Sequence, residues 1–158
     1  MKIKERIEAF NRENKPFYIV DHEGGRFSLC LPLDMLPEEY YPYCQEAFDA
    51  YAAETGVSPQ LLSGRNRFGD GYDWQAAFCQ AFAGDPGLEK ISLDCEASGF
   101  FCGCDDLGVL EQYGSRFREI CTDTARFIPI VSQGIRSMEQ RMKEQERLMK
   151  TVRGQLMG

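Results

Sequence analysis

The stretch that decides the fold class is PFYIVDHEGGRFSLCLP, residues 16–32. It contains two runs rich in aromatic and aliphatic residues, 17–21 and 26–31, and the polar, glycine-containing segment 22–25 separates them. Two such runs around a turn of this composition are typical of an antiparallel β-hairpin. We therefore predict two paired strands near the N-terminus.

A second hairpin is predicted at residues 91–104. Apolar and polar residues alternate over 91–95, as in a strand with one buried face. Ser98 and Gly99 permit a turn, and residues 100–104 then return as the partner strand. The two hairpins together predict a small antiparallel sheet of about four strands.

Helices are predicted around the hairpins, because apolar residues recur there at spacings of three and four. Asp73 is the predicted N-cap of one helix. Pro129 is predicted to end another, which begins at Asp105 or Asp106. Residues 63–71 are predicted to form a loop. The predicted helical segments are 2–14, 41–55, a short turn at 58–62, 73–82, 105–129 and 131–156.

This order of elements predicts an α+β fold, in which helices pack against the sheet and a long helix ends the chain. The 158 residues suit one ordinary domain, which can fold without a disulfide or a metal. We expect residues 1–129 to form that globular domain. Residues 130–158 are expected to form an amphipathic helix, either packed on the domain or used for association.

The final segment carries a heptad pattern, with members at alternating spacings of four and three and charged residues beside them. Such a seam suits two structures: a helix that packs on its own domain, and a helix that forms a homodimer or binds a partner. Several methionines and one glutamine specify a dimer poorly, so both remain open. The seam consists of Val131, Ile135, Met138, Met142, Gln145, Met149, Val152 and Leu156.

Charge is unevenly distributed along the chain, whose net charge is −7. Residues 36–111 hold fourteen carboxylates and three cations, whereas residues 112–158 hold nine cations and five carboxylates. An acidic body disfavours nucleic-acid binding, which needs a basic face. It favours a protein partner with a basic surface. The residues expected to form the partner-binding surface are Glu38, Glu39, Glu46, Asp49, Glu54, Asp94, Glu96, Asp105 and Asp106.

One cysteine cluster has the character of metal ligands, because Cys95, Cys102 and Cys104 can meet on a hairpin. Their spacing differs from that of usual structural zinc sites, and free cysteines are commonly buried apolar residues. We therefore expect buried thiols, with zinc as the alternative. The seven cysteines are an odd number, which indicates reduced thiols and not a disulfide framework.

Other candidate chemistry is weaker, and the sequence has no G-x-S-x-G, H-E-x-x-H, Walker or G-x-G-x-x-G motif. His22 could pair with a cysteine, and Asp70 with Asp73 could offer oxygen ligands to a cation. A turn residue and a helix cap explain them more simply, and we expect these structural roles. We expect a protein that is not an enzyme and needs no cofactor, with a thiol- or zinc-dependent activity as the alternative.

The N-terminal residues include charges but no following apolar core, so they do not resemble a signal peptide. The apolar stretches are far shorter than the roughly 18 residues that span a bilayer. We expect a cytoplasmic protein that makes no contact with membranes.

Two stretches, GDGYDW at 69–74 and DCEASGFFC at 94–102, resemble small acidic accessory proteins of Firmicutes mobile elements, over residues 40–130. Such elements often encode inhibitors of restriction and CRISPR systems. The resemblance implies that setting but no catalytic residue. Together with the acidic body, it predicts a non-enzymatic inhibitor that binds a nuclease or nucleic-acid-binding complex. A structural protein that associates through its C-terminal helix is a further alternative.

Overall fold

The structure, a computed structural model, describes residues 2–56 and 69–157. Within these residues the chain forms five α-helices and a four-stranded sheet, with single 3-10 turns at Leu33–Met35, Glu38–Tyr40 and Pro86–Lys90. The elements are α1 Ile3–Glu13, β1 Tyr18–Asp21, β2 Phe27–Pro32, α2 Tyr41–Thr55, α3 Gly71–Ala81, β3 Ser92–Leu93, β4 Gly99–Cys104, α4 Leu107–Cys121 and α5 Thr124–Met157.

The sheet is antiparallel throughout and has the order β1-β2-β4-β3. Both predicted hairpins are confirmed, and the β2–β4 pairing joins them, with Leu29 opposite Cys102 and Leu31 opposite Phe100. β3 is shorter than the alternation over 91–95 predicts, because only Ser92 and Leu93 pair with β4. The predicted α+β class, with a small antiparallel sheet and a long C-terminal helix, is therefore confirmed.

Aromatic rings fill the space between the sheet and the helices. Phe117 of α4 lies at their centre, with its ring centroid 5.2 Å from that of Phe78 and 6.0 Å from that of Trp74. Phe100 of β4 and Phe127 of α5 extend the cluster, and all five side chains are almost fully buried. Such rings bury large areas and favour tilted and edge-to-face contacts, so this cluster holds the helices on the sheet.

α3 is fixed against the sheet at its first residue. The Gly71 N–H faces the carbonyl oxygen of Ala97 at 3.4 Å. A Cβ atom at position 71 would overlap the carbonyl oxygens of Glu96 and Gly99. Glycine is therefore needed here for close approach of two backbones.

Two predicted helix boundaries are wrong. α3 begins at Gly71, and its N-cap is Asp70 instead of Asp73. Pro129 does not end a helix but lies in the second turn of α5. The break between α4 and α5 lies instead at residues 122–123, where the Asp123 carbonyl oxygen accepts hydrogen bonds from the first turn of α5. The predicted division at residue 129 consequently falls inside a continuous helix.

The heptad seam follows α5 into two different environments. Val131 and Ile135 are buried in the domain, and Met138 is half-buried. Every residue from Gln140 to Leu156 is exposed. The first half of α5 therefore belongs to the globular domain, and the second half extends beyond it.

Two sequence expectations, the short turn at 58–62 and most of the loop at 63–71, lie outside the described residues. No helix of the described ranges combines the length and apolar composition that crossing a membrane requires.

Candidate functional site

The three cysteines of the candidate metal cluster lie on the β3–β4 hairpin. Cys102 and Cys104 occupy alternate positions of β4 and are both buried. Cys95 is half-buried, with its Sγ atom 3.3 Å from the carbonyl oxygen of Phe101. Among residues 2–56 and 69–157, no group of three His, Cys, Asp or Glu side chains is arranged to hold a metal ion.

Burial also makes the thiols of Cys95 and Cys102 poor nucleophiles. It raises the pKa of Cys95 to about 11 and raises the pKa of Cys102 further above its ordinary value. The pKa of the neighbouring Cys30 is likewise raised to about 11 by burial. Because the thiolate is the reactive and metal-binding form, these protonated thiols favour the interpretation as apolar core residues.

His22 lies at the turn of the first hairpin. Its Nε2 atom is 2.7 Å from the Oγ atom of Ser28, so the contact links the end of the turn to β2. The structure thus pairs His22 with a hydroxyl group on the same hairpin and not with a cysteine. This contact is exposed to solvent, as is usual for polar residues of a turn.

The Asp70–Asp73 segment is a capping box. The Asp70 Oδ1 atom accepts hydrogen bonds from the backbone N–H groups of Tyr72 and Asp73, each at 3.0 Å. In return, the Asp73 Oδ2 atom accepts one from the backbone N–H of Asp70 at 3.0 Å. This reciprocal pattern satisfies free donors at the start of α3, so it accounts for both carboxylates without a cation.

Asp73 is nevertheless unusual because its side chain is buried. Burial is the main cause that raises its pKa to about 6, and the nearby Asp70 and Glu139 carboxylates add to the effect. The residue lies where α3 approaches α5, close to Tyr51 of α2. Its position indicates a structural carboxyl group whose protonation is coupled to folding.

The residues expected to bind a partner lie at different places on the surface. Glu96 precedes β4 and Asp105 follows it, so the length of the strand, about 17 Å, separates them. Asp106 caps α4 by accepting the N–H of Gly108 at 2.9 Å. Asp94 is exposed beside β4. The nine carboxylates are therefore distributed over several elements, and their role in partner binding stays a prediction.

Glu54 is the member of this set that joins an ion pair within the described residues. Its carboxylate accepts a hydrogen bond from Ser132 at 2.9 Å and pairs with Arg136 at 2.6 Å. The hydrogen bond from Ser132 is the largest cause of the lowered pKa of Glu54, and Arg136 adds to it. Glu54 therefore joins α2 to α5, which leaves it less available to a partner.

Four of the other carboxylates follow one another on consecutive elements. Glu38 and Glu39 lie on the 3-10 turn before α2, and Glu46 and Asp49 lie on α2 itself; all four are exposed. The three-residue spacing places Glu46 and Asp49 on the same side of the helix. Within the described residues none of the four joins an ion pair. We call these four residues the acidic rim.

A groove of about 400 Å³ lies between the start of β1 and the end of β2, and one member of the acidic rim lines it. Its walls are mostly apolar and include Pro16, Leu31 and Leu36. Met35 stands at its edge with 76% of its side-chain surface exposed. Glu39, which also lines the groove, brings the acidic rim to its border. An apolar depression with a charged border has the composition of a protein-binding surface.

Sequence reasoning did not find the groove. Met35 belongs to no periodic segment, and the groove combines residues from the loop before β1, from β2 and from the two 3-10 turns. The local signal is a short apolar segment, with Leu33, Met35 and Leu36, between Pro32 and Pro37. That signal shows that the chain turns but not what the turns enclose.

Comparisons of the chain with protein-family models, with curated proteins and with solved structures gave no match.

Proposed function

We propose that this protein is a non-enzymatic inhibitor that binds a basic surface of a partner protein through the groove and its acidic rim. The observation that carries the proposal is the exposed Met35 at the edge of an apolar groove that the exposed Glu39 also lines. Stable interfaces combine a desolvated apolar centre with a polar border, and methionine suits a surface that must adapt to its partner.

The charge of the acidic rim indicates the chemistry of the partner. Glu39 and Lys15 line the groove itself, and Glu38, Glu46 and Asp49 add three exposed carboxylates on the same 3-10 turn and on α2. Such a surface complements lysine and arginine side chains, which proteins commonly use to contact phosphates. A protein that covers those side chains excludes nucleic acid from them, so inhibition of a nuclease or nucleic-acid-binding defence complex is the proposed outcome.

The resemblance to accessory proteins of mobile elements agrees with this role, because such elements must evade host nucleases. The proposal places the protein in the cytoplasm, where its cysteines remain reduced. The proposed binding mode uses neither the thiols nor His22. The thiol-enzyme alternative has less support, since burial keeps the thiols of Cys95 and Cys102 protonated through their raised pKa values.

The test is affinity capture from a nuclease-bearing bacterial strain, with elution by a salt gradient. Three baits are compared: the wild-type chain, a Glu38→Lys/Glu39→Lys variant, and a Glu8→Lys/Glu119→Lys variant. The last one makes the same change in charge at exposed positions on α1 and α4. We expect wild type and the control to retain a nucleic-acid-binding protein that salt releases, and the rim variant to lose it.

The captured protein is then assayed for DNA or RNA binding with and without added wild-type chain. We expect the wild-type chain to displace nucleic acid and the rim variant to fail. A Met35→Asp variant tests the apolar part of the surface in the same assay. Equal capture by wild type and the rim variant, capture unaffected by high salt, or a partner that keeps its nucleic acid would each contradict the proposal.

A further inference from the structure

The second half of α5 carries an apolar stripe that no other described residue covers. Met142, Met149, Val152 and Leu156 are 56%, 57%, 52% and 81% exposed. With Gln145 they continue the heptad seam whose first members are buried in the domain; we call these five residues the distal seam. A regular apolar stripe on an otherwise charged helix indicates an interaction surface.

The buried half of the seam restricts how a second helix can approach. α5 packs between two helices of its own domain: Glu139 accepts a hydrogen bond from Tyr51 of α2 at 3.5 Å, and Gly134 lies against Ala76 of α3. A parallel helix in register would have to follow the same face past Ile135. That face is already occupied by α2 and α3, so two parallel helices in register would have to splay apart at Ile135, which disfavours a parallel pair.

An antiparallel pair avoids this conflict, because it places the two domains at opposite ends of the shared helical segment. We propose that two copies of this chain associate through an antiparallel coiled coil of their distal seams. In the register that superimposes the two seams, Met142 of one copy lies opposite Val152 of the other, and Gln145 lies opposite Met149. Leu156 then reaches Met138, which is still half-buried by its own domain.

The residues beside the seam support this orientation. Antiparallel coiled coils bring equivalent flanking positions together, so Glu139 of each copy lies beside Arg153 of the other, which gives two attractive pairs. Leu148, 65% exposed, meets its own counterpart near the twofold axis. The arrangement thus gives an apolar contact to a flanking leucine that is otherwise exposed among charged residues.

Glu146 is the one flanking residue that opposes the antiparallel pair, because it meets the Glu146 of the second copy. In a parallel pair the same residue would lie beside Arg141 and attract it. Glu146 therefore distinguishes the two orientations. Together with the polar Gln145 in the seam, it makes the dimer weak and reversible, as expected for an interface formed by a short segment of helix.

The experiment is sedimentation equilibrium of the full chain over a wide range of concentrations, with wild type, Glu146→Gln, Val152→Asp and Thr151→Asp. Thr151 is exposed outside the seam, so its variant matches the change in charge of Val152→Asp. We expect reversible dimerisation of wild type, dimerisation tightened about two-fold to five-fold by Glu146→Gln, and loosened at least about ten-fold by Val152→Asp. Thr151→Asp should behave as wild type.

Circular dichroism of each variant verifies that the domain is folded, which we expect because all three substituted residues are exposed. A monomer at every concentration would overturn the proposal. Weaker association of Glu146→Gln would also overturn it, because that result indicates parallel helices. Equal effects of Val152→Asp and Thr151→Asp would show that the distal seam is not the interface. The distal seam shares no residue with the groove, so the experiment can contradict this proposal without contradicting the proposed function.

Discussion

Gly134 of α5 lies directly against Ala76 of α3: a Cβ atom at position 134 would be 2.5 Å from the Ala76 carbonyl oxygen. Real Cβ atoms essentially never approach another atom this closely. The contact joins the two helices that carry Trp74 and Phe127 into the aromatic core. The absence of a side chain at Gly134 therefore sets how closely the two helices pack.

We expect Gly134→Ala to lower the free energy of unfolding by about 1–3 kcal/mol, because α3 and α5 must separate to admit a methyl group. Urea unfolding, monitored by circular dichroism, measures this free energy. Gly154→Ala is the matched control, since position 154 of the same helix has no atom within 4 Å of an added Cβ. There alanine should leave stability unchanged or raise it slightly. Equal stability of the two variants would contradict the close packing.

The buried carboxyl group of Asp73 should make stability depend on pH. Its pKa is raised from an ordinary 3.8 to about 6 in the folded protein, chiefly by burial. Between these values the native state keeps a proton that the unfolded chain has released. The stability contribution of this group is therefore present at low pH and is lost as pH rises through about 6, by about 3 kcal/mol at most.

Asp73→Asn should remove that contribution to the pH dependence and raise stability at neutral pH, since a neutral amide oxygen can still accept the Asp70 N–H. The measurement is the difference in unfolding free energy between variant and wild type from pH 4 to pH 8. Asp49→Asn, which changes an exposed carboxylate, is the control. A difference that stays constant across this range for Asp73→Asn would show that Asp73 does not titrate in this window.

Phe117 should be among the residues most important for stability, because its ring contacts aromatic rings from β4, α3 and α5. Phe117→Ala leaves a cavity at the centre of the core, and we expect a loss of about 3–5 kcal/mol. Thermal or urea unfolding measures it. Tyr72→Ala removes a ring that is 47% exposed and should change stability by less than about 0.5 kcal/mol. A loss for Phe117→Ala that is as small as the one for Tyr72→Ala would contradict the central position of Phe117 in the core.

The thiols of Cys30 and Cys102 should resist alkylation in the folded protein. Both are buried, and burial raises the pKa of each well above its ordinary value. Brief treatment with iodoacetamide at pH 8, followed by peptide mass spectrometry, should leave both unmodified until urea is added. Labelling of the unfolded chain is the control. Rapid labelling of Cys102 in the native state would revive the interpretation of a reactive thiol.

The hairpins are the part of the fold that local sequence predicts best. Residues 17–21 and 26–31 are rich in aromatic and aliphatic residues and flank a glycine-containing turn, and these features depend only on neighbours in the chain, so both strands are predictable from the sequence. The N-cap of α3 depends on a tertiary contact as well. Asp70 and Asp73 are both good cap residues, and the close approach of Gly71 to the β3–β4 connection favours the earlier start.

The candidate site was predicted only in part. Composition identified the acidic residues, but their positions depend on where strands end, so Glu96 and Asp105 lie at opposite ends of β4. The groove at Met35 was missed, because its walls come from separate segments that the β1–β2 pairing brings together.

The sequence by itself determined the two hairpins, the helical periodicities, the acidic body and the heptad seam, since each depends on the order and spacing of residues within one segment. Only the tertiary structure decided that Val131 and Ile135 are core residues while Met149 and Val152 remain exposed. The pattern is the same along the whole helix, but α2 and α3 cover only its first half. Burial depends on what lies opposite a side chain, and that is set by distant segments.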